Sequence, residues 1–369
     1  MAKTMMFVGG VTRALGYAKG ANAKGIAAFE FDESDGSARP LQTIEGVENP
    51  TFLSLDPSGP FLNATCEIAA WNEGLVITYA VERSSGALTY CNMQPSRGSY
   101  AVHSAADRTG RLLFAVNYGA GPATQRPNRS IVVYDRRPGG EIGAPIFEAT
   151  HEGDGPIAAR QERPHAHNVH VSPGNRFAVV ADLGIDALMI YRFDAAAGTV
   201  APHGRFAMPP GSGPRHLAFH PYRPIAYVVN ELNSTLSTLS FDEDAGRFEA
   251  LALARTIPSG ETRGNLCSEV RASSGGRHVY VANRGCDSIA CFAVDSRTGV
   301  AELIDAVPCG GETPRHFALD PSGNFLAVAN QDSDRINMFR VDPVSGALSD
   351  IGKPIVVGTP TSIVFARLG

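Results

Sequence analysis

Histidine, arginine and glutamate recur at matching places along this chain, and these are the side chains that move protons and hold anions at neutral pH. His103, His167 with Asn168, Arg215 with His216, Ser268 with Glu269, and Arg315 with His316 each stand at the start of a mostly apolar stretch. A second set closes the apolar stretch that follows: Asn117, Asp182, Asn230 with Glu231, Asn283 with Arg284, and Asn330. Imidazole is a general base near neutral pH, and guanidinium can neutralise an oxyanion or grip a carboxylate or phosphate with two parallel donors. Burying several such groups together is costly unless they pair or meet a ligand. Their recurrence points to a polar, water-filled site for an anionic or hydroxyl-rich small molecule. Asparagine after an apolar strand is also ordinary turn chemistry, the simpler reading of Asn117, Asn283 and Asn330. Glu231 and Arg284 differ: each stands just past an asparagine in successive segments, and their charges are opposite.

The elements that must position these residues repeat. Seven times an apolar run meets an acidic residue and a glycine follows four positions later: Asp32 and Gly36, Glu82 and Gly86, Asp135 and Gly139, Asp194 and Gly198, Asp242 and Gly246, Asp295 and Gly299, Asp342 and Gly346. The spacing predicts seven hairpins, with the glycine supplying a positive-φ corner. In phase with it runs a strand, a turn and a second strand: TFLSLDPSG from Thr51, VHSAADRTG from Val102, NVHVSPGN from Asn168, HLAFHPYR from His216, EVRASSGG from Glu269 and HFALDPSGN from His316. The second strands, such as FAVVA from Phe177 and FLAVA from Phe325, suit burial on both faces.

A period of roughly fifty residues holds four short strands, so the expected fold is all-β: a seven-bladed β-propeller of four-stranded antiparallel blades. Six units are complete. The seventh would combine TMMFVGG and GIAAFEFD at the start with TSIVFARL from Thr361, closing the ring by pairing of N- and C-terminal strands. Residues 1–369 are then a single β-propeller domain, whose innermost strands aim the polar residues at one channel. The stretches Gly119 to Ser130 and Thr150 to His165 read as loops over one end of the ring.

Composition narrows the partners. A net charge of −5 with interspersed acids and bases leaves no basic face for nucleic acid and no polybasic stretch for a membrane surface. No run approaches the roughly 20 apolar residues of a membrane span, and no secretory leader is evident, so a cytoplasmic location is expected. The six cysteines form no CxxC pair and read as free thiols. His165 and His167 lie one residue apart, but a pair is not a ligand set, so neither metal nor cofactor is expected. Nucleophilic catalysis has less support, because no GxSxG elbow is present. No segment stands out as an interface between copies.

The segments PHAHNVHVSPGNRFAVVADLG, GPRHLAFHPYRPIAYVVNE, SEVRASSGGRHVYVANRG and TPRHFALDPSGNFLAVANQDSDRINMFRVDPVSGAL resemble the seven-bladed propeller lactonase family. That family includes bacterial 6-phosphogluconolactonases and the fungal enzyme that interconverts 3-carboxy-cis,cis-muconate and its lactone. The resemblance covers nearly the whole chain. It implies a hydrolase that opens a sugar-acid lactone, 6-phosphogluconolactone or a related aldonolactone. A muconate-type cycloisomerase is the alternative, and a non-catalytic binding scaffold the second. The proposed catalytic groups of the muconate branch, a histidine, two arginines and a glutamate, match His167, Arg215, Glu231 and Arg284. The resemblance thus implies His167 as general base and Arg215 and Arg284 as oxyanion or anion clamps. Glu231 would orient Arg284 or His167, or protonate the leaving hydroxyl. His165, His216, Glu269, Arg271 and Arg315 depart from the family setting; with Asn117 and Asp182 they form the expected substrate-binding set.

Overall fold

The structure, a computed structural model, describes residues 3–57, 59–120, 124, 126–258 and 264–368. Strands β1 (Lys3–Gly10), β2 (Gly25–Phe31) and β3 (Ala38–Glu45) begin a sheet that the last strand of the chain completes. The second sheet is β4 (Pro50–Leu55), β5 (Phe61–Cys66), β6 (Leu75–Val81) and β7 (Leu88–Pro95). The third is β8 (Ala101–Ala106), β9 (Leu112–Asn117), β10 (Ile131–Arg136) and β11 (Ile142–Ala149). Next come β12 (Ala166–Val171), β13 (Phe177–Asp182), β14 (Ala187–Asp194) and β15 (Thr199–Ala207). The fifth holds β16 (Pro214–Phe219), β17 (Ile225–Asn230), β18 (Thr235–Asp242) and β19 (Arg247–Arg255). The sixth holds β20 (Leu266–Ala272), β21 (His278–Arg284), β22 (Ser288–Val294) and β23 (Ala301–Pro308). In the seventh, β24 (Pro314–Leu319), β25 (Phe325–Asn330) and β26 (Arg335–Val341) are followed by two short pieces, β27 (Leu348–Asp350) and β28 (Ile355–Val356), that share the outer place. Finally β29 (Pro360–Leu368) pairs antiparallel with β1, Met5 opposite Ala366 and Phe7 opposite Val364.

These sheets are the blades of a seven-bladed β-propeller. Helix among the described residues is confined to two single 3-10 turns, Leu183–Ile185 and Gln331–Ser333. The chain divides into two compact units, one of Glu48–Arg215 with Asp242–Phe248 and the other of Met1–Val47, His216–Phe241 and Glu249–Gly369. In the first unit β4 lies against β8 and β8 against β12; in the second β20 lies against β24 and β24 against β29.

Burial follows strand position, as the sequence pattern requires. The second strands β9, β13, β17 and β25 are buried at every residue, because β-branched and aromatic side chains fill both faces of a sandwiched strand. Phe114, Val116 and Val133 of one sheet meet Val169, Ala178, Val180 and Tyr191 of the next. In the other unit Tyr227 and Val229 pack with Val270, Val279 and Phe292. The fourth strands β3, β15 and β19 are largely exposed.

The acid and glycine pattern lies on the hairpins joining third to fourth strands. Asp242 shows why: its backbone oxygen accepts from the Gly246 N–H, and its side chain accepts from the N–H groups of Asp244 and Ala245. Gly246 has φ +62°, and a Cβ there would fall 2.5 Å from the Phe177 ring that opens β13 in the neighbouring sheet. Positive φ and close approach both demand glycine. One expectation is corrected: in the third hairpin the positive-φ residue is Gly140 (φ +89°), not Gly139, because the turn there runs from Arg137 to Glu141.

Candidate active site

Where register is described, the leading strand of a sheet carries a bulge close to its start. The pairing slips between Pro50 and Phe52, Ala101 and His103, Ala166 and Asn168, and Pro314 and His316. Between Cys267 and Val270 it slips in β20, and where β29 meets β1 it slips opposite Gly9 and Gly10. A bulge leaves one residue outside the ladder and re-aims its side chain, a device common beside binding sites. The residue so released is Thr51, Val102, His167 or Arg315 in β4, β8, β12 and β24. Arg215 holds the same place in β16, where Pro214-Arg215-His216 repeats the Pro314-Arg315-His316 that opens β24. The bulge separates two rows that the sequence merges: Val102 and His167 belong to one, His103 and Asn168 to the next.

In the first unit, His167 and Arg215 are both buried. The Tyr118 ring meets His167 edge-on at 5.7 Å and 80°, and stacks on His165 at 4.3 Å and 19°. His165 is committed at both ring nitrogens, with Nδ1 2.8 Å from the Tyr118 carbonyl and Nε2 3.2 Å from Glu162 Oε2. Burial would raise the Glu162 carboxyl, but hydrogen bonds from its own backbone and from His165 bring it below the usual range. Asp182 is fully enclosed. Its Oδ1 accepts from the N–H groups of His165 (2.7 Å) and Gly184 (3.1 Å), capping the 3-10 turn, and its Oδ2 lies 2.6 Å from His151 Nδ1. His151 Nε2 in turn lies 2.7 Å from the Tyr191 hydroxyl, which burial keeps protonated. The loop predicted from Thr150 to His165 runs between β11 and β12. It is anchored by Gln161, whose side chain donates to the Leu183 carbonyl at 2.8 Å. Of the other predicted loop, Gly121 to Ala123 and Gln125 lie outside the described residues.

In the second unit, Glu231 follows β17 and Arg284 ends β21. Arg284 Nη2 lies 2.7 Å from Glu231 Oε2 and also donates to the Cys267 carbonyl at 3.0 Å, while Nε donates to the Leu266 carbonyl at 3.2 Å. The guanidinium is thereby fixed along the start of β20. On the same strand, Glu269 Oε2 lies 2.9 Å from His216 Nδ1 and 3.2 Å from His316 Nε2, and Oε1 lies 3.2 Å from Arg271 Nε. His316 Nδ1 accepts from the Ile363 N–H at 3.2 Å, and its Nε2 lies 3.3 Å from Arg271 Nη2 as well as facing Glu269. His103 makes the matching clasp in the first unit, with Nδ1 3.4 Å from the Val169 N–H. The Arg315 guanidinium covers the Tyr17 ring at 4.0 Å.

The seven expected substrate-binding residues therefore separate by geometry. Both oxygens of Asp182 face protein groups, which fix the start of β12. Asn117 donates to the carbonyls of Ser96 (2.7 Å) and Arg129 (2.9 Å), both distant in sequence, rather than to the backbone of its own turn. His165 is held by Tyr118 and Glu162, whereas His216, Glu269 and Arg271 form one charged cluster with His316. Arg271 is partly exposed, its side chain at 35%. Tyr118 was not singled out by residue type. Its signal lay in the phase, since it follows Asn117 as Glu231 follows Asn230 and Arg284 follows Asn283.

The six cysteines are free, and burial pushes the Cys267, Cys291 and Cys309 thiols up to about 12, leaving no thiolate at neutral pH. Among the described residues, no three or more His, Cys, Asp or Glu side chains are grouped to hold a metal ion.

Comparison with known proteins places this geometry. A family profile described as "Lactonase, 7-bladed beta-propeller" matches residues 5–365. The 6-phosphogluconolactonase of Bacillus subtilis (strain 168) is 32% identical over 349 residues, covering 95% of this chain and 96% of that protein. That of Formosa agariphila is 30% identical over 344 residues, covering 92% and 94%. Among solved structures, the periplasmic gluconolactonase of Pseudomonas aeruginosa superposes with a TM-score of 0.90 at 28% identity, covering 100% of both chains. With the profile matched almost end to end and two relatives at or above 30% identity, the chain belongs to the seven-bladed β-propeller lactonase family.

Proposed function

We propose that the protein hydrolyses a sugar-acid lactone to its open-chain hydroxy acid, with His167 as general base. The observation that carries this reading is a buried histidine released by the β12 bulge, in a chain matched end to end by lactonases. His165, committed at both nitrogens, is the poorer base of the pair. His167 takes a proton from water as the water oxygen attacks the lactone carbonyl carbon. The carbonyl oxygen becomes an oxyanion beside the Arg215 guanidinium. The ring C–O bond then breaks, and the leaving alkoxide takes up the proton. Glu231 holds Arg284 in an ion pair, the arrangement of an anchored anion clamp rather than of a proton donor.

The relatives named for phosphorylated and for free gluconolactones define the substrate class to test. At neutral pH each turnover yields a carboxylic acid that ionises, so activity reads as proton release. A panel of phosphorylated sugar lactones, free aldonolactones and muconolactones, corrected for spontaneous opening, should show saturable turnover on a sugar lactone and background rates on muconolactones. A flat response across the panel would remove the lactonase assignment.

A further inference from the structure

The outer strand of a propeller blade is an open edge, and exposed edges are normally blunted by proline, breaks or inward charges. Here β3 carries Pro40, β7 Pro95, β11 Pro145, β15 Pro202 and β23 Pro308. In the seventh sheet the outer place is cut into β27 and β28 by Ile351-Gly352-Lys353-Pro354. The outer strand β19 has no proline, no glycine and no lysine in its nine residues, Arg247–Arg255.

Its sequence is also self-complementary. In Glu249-Ala250-Leu251-Ala252-Leu253-Ala254-Arg255 all four odd-numbered residues are exposed, with Leu251 at 45% and Leu253 at 53%, and regular strand alternation would set them on one face. Turned about a two-fold axis through Ala252, this strand meets itself antiparallel with Leu251 opposite Leu253, Ala250 opposite Ala254, and Glu249 opposite Arg255. Four leucines would then cluster between two cross-strand ion pairs on one face of a continuous sheet.

We propose that this protein self-associates through β19, forming a two-fold symmetric dimer by antiparallel edge pairing centred on Ala252. The occupant is a second copy because the charges complement only under that two-fold operation, which is the isologous contact of closed dimers. One strand pair with four leucines falls short of the roughly 1,200 Å² of a standard stable interface, so the dimer dissociates on dilution.

Sedimentation velocity over a concentration series tests it, with variants at exposed positions that leave the sheet intact. Leu253→Lys should weaken association about tenfold or more, and Glu249→Arg, which sets like charges opposite each other, should do the same. The double variant Glu249→Arg/Arg255→Glu should return the dissociation constant to within about threefold of the original. Opposed Cα atoms in an antiparallel pair lie about 4.5–5.5 Å apart, within disulfide range, so oxidised Ala252→Cys should give a cross-linked dimer that the parent protein does not. A protein that stays monomeric at every concentration would overturn the proposal. So would a dimer indifferent to Leu253→Lys and to the charge swap.

Discussion

Replacing His167 by asparagine will lower kcat for the accepted sugar lactone by about 10²-fold or more while moving KM little, the pattern of a lost general base. The β12 ladder slips between Ala166 and Asn168, so His167 leaves the pairing that would otherwise fix its face, and Tyr118 holds the imidazole edge-on at 5.7 Å. His165 cannot take over, because its two nitrogens already face a carbonyl and a carboxylate. His165→Gln should therefore cost much less in kcat. In the parent enzyme kcat/KM should fall on the acid side as the base protonates, and His167→Asn should lose that limb. Arg215→Ala should lower kcat/KM by roughly 10²- to 10³-fold, with Arg215→Lys recovering only part, since lysine keeps the charge but not the two-pronged grip. If His167→Asn and Arg215→Ala each stayed within about threefold of the parent enzyme, the assignment of both would fail.

The second large effect concerns the Glu231–Arg284 pair, whose side chains are only 3% and 14% exposed. Arg284→Met removes a paired cation from a buried carboxylate and takes a donor from the Leu266 and Cys267 carbonyls. The expected cost is about 3–5 kcal/mol of unfolding free energy. Glu231→Gln keeps a hydrogen-bond acceptor and should cost less. Combining Arg284→Met with Glu231→Leu removes both charges and should recover much of the stability, because a buried pair is expensive to break but not to replace. On the proposed anion-clamp role of Arg284, activity should not recover with it. Urea titration of the two single variants and the double gives the coupling directly; additive losses would show that the two charges do not depend on each other.

Much of the fold was legible because a propeller writes its repeat into local chemistry. Runs such as FAVVAD admit only a doubly buried strand, and the turn at Asp242 to Gly246 needs an acceptor at one end and a positive φ at the other. The same repeat supplied the phase that singled out Glu231 and Arg284, and the structure finds them 2.7 Å apart. Register was harder to read. His103 and His167 looked equivalent, but the bulges put Val102 and His167 in one row, and register depends on a partner strand that residue type does not reveal. The partners of Asp182 were hidden for a related reason: His151 and His165 bracket a long loop whose return to β13 no local pattern announces. The self-complementarity of β19 was in plain view, yet it acquires meaning only once that strand is known to be an outer edge.

Hydrolysis and muconate-type cycloisomerisation both open a lactone, but they draw on solvent differently. Hydrolysis by attack at the carbonyl places one water oxygen in the product carboxylate, whereas opening by elimination breaks the ring C–O bond while a proton leaves carbon. Turnover of the best lactone in H₂¹⁸O, read by mass spectrometry after a single turnover, separates the two. One ¹⁸O per product, in the carboxylate and not in the released hydroxyl, is the predicted result. Product without ¹⁸O, accompanied by exchange of a carbon-bound hydrogen with solvent, would contradict it.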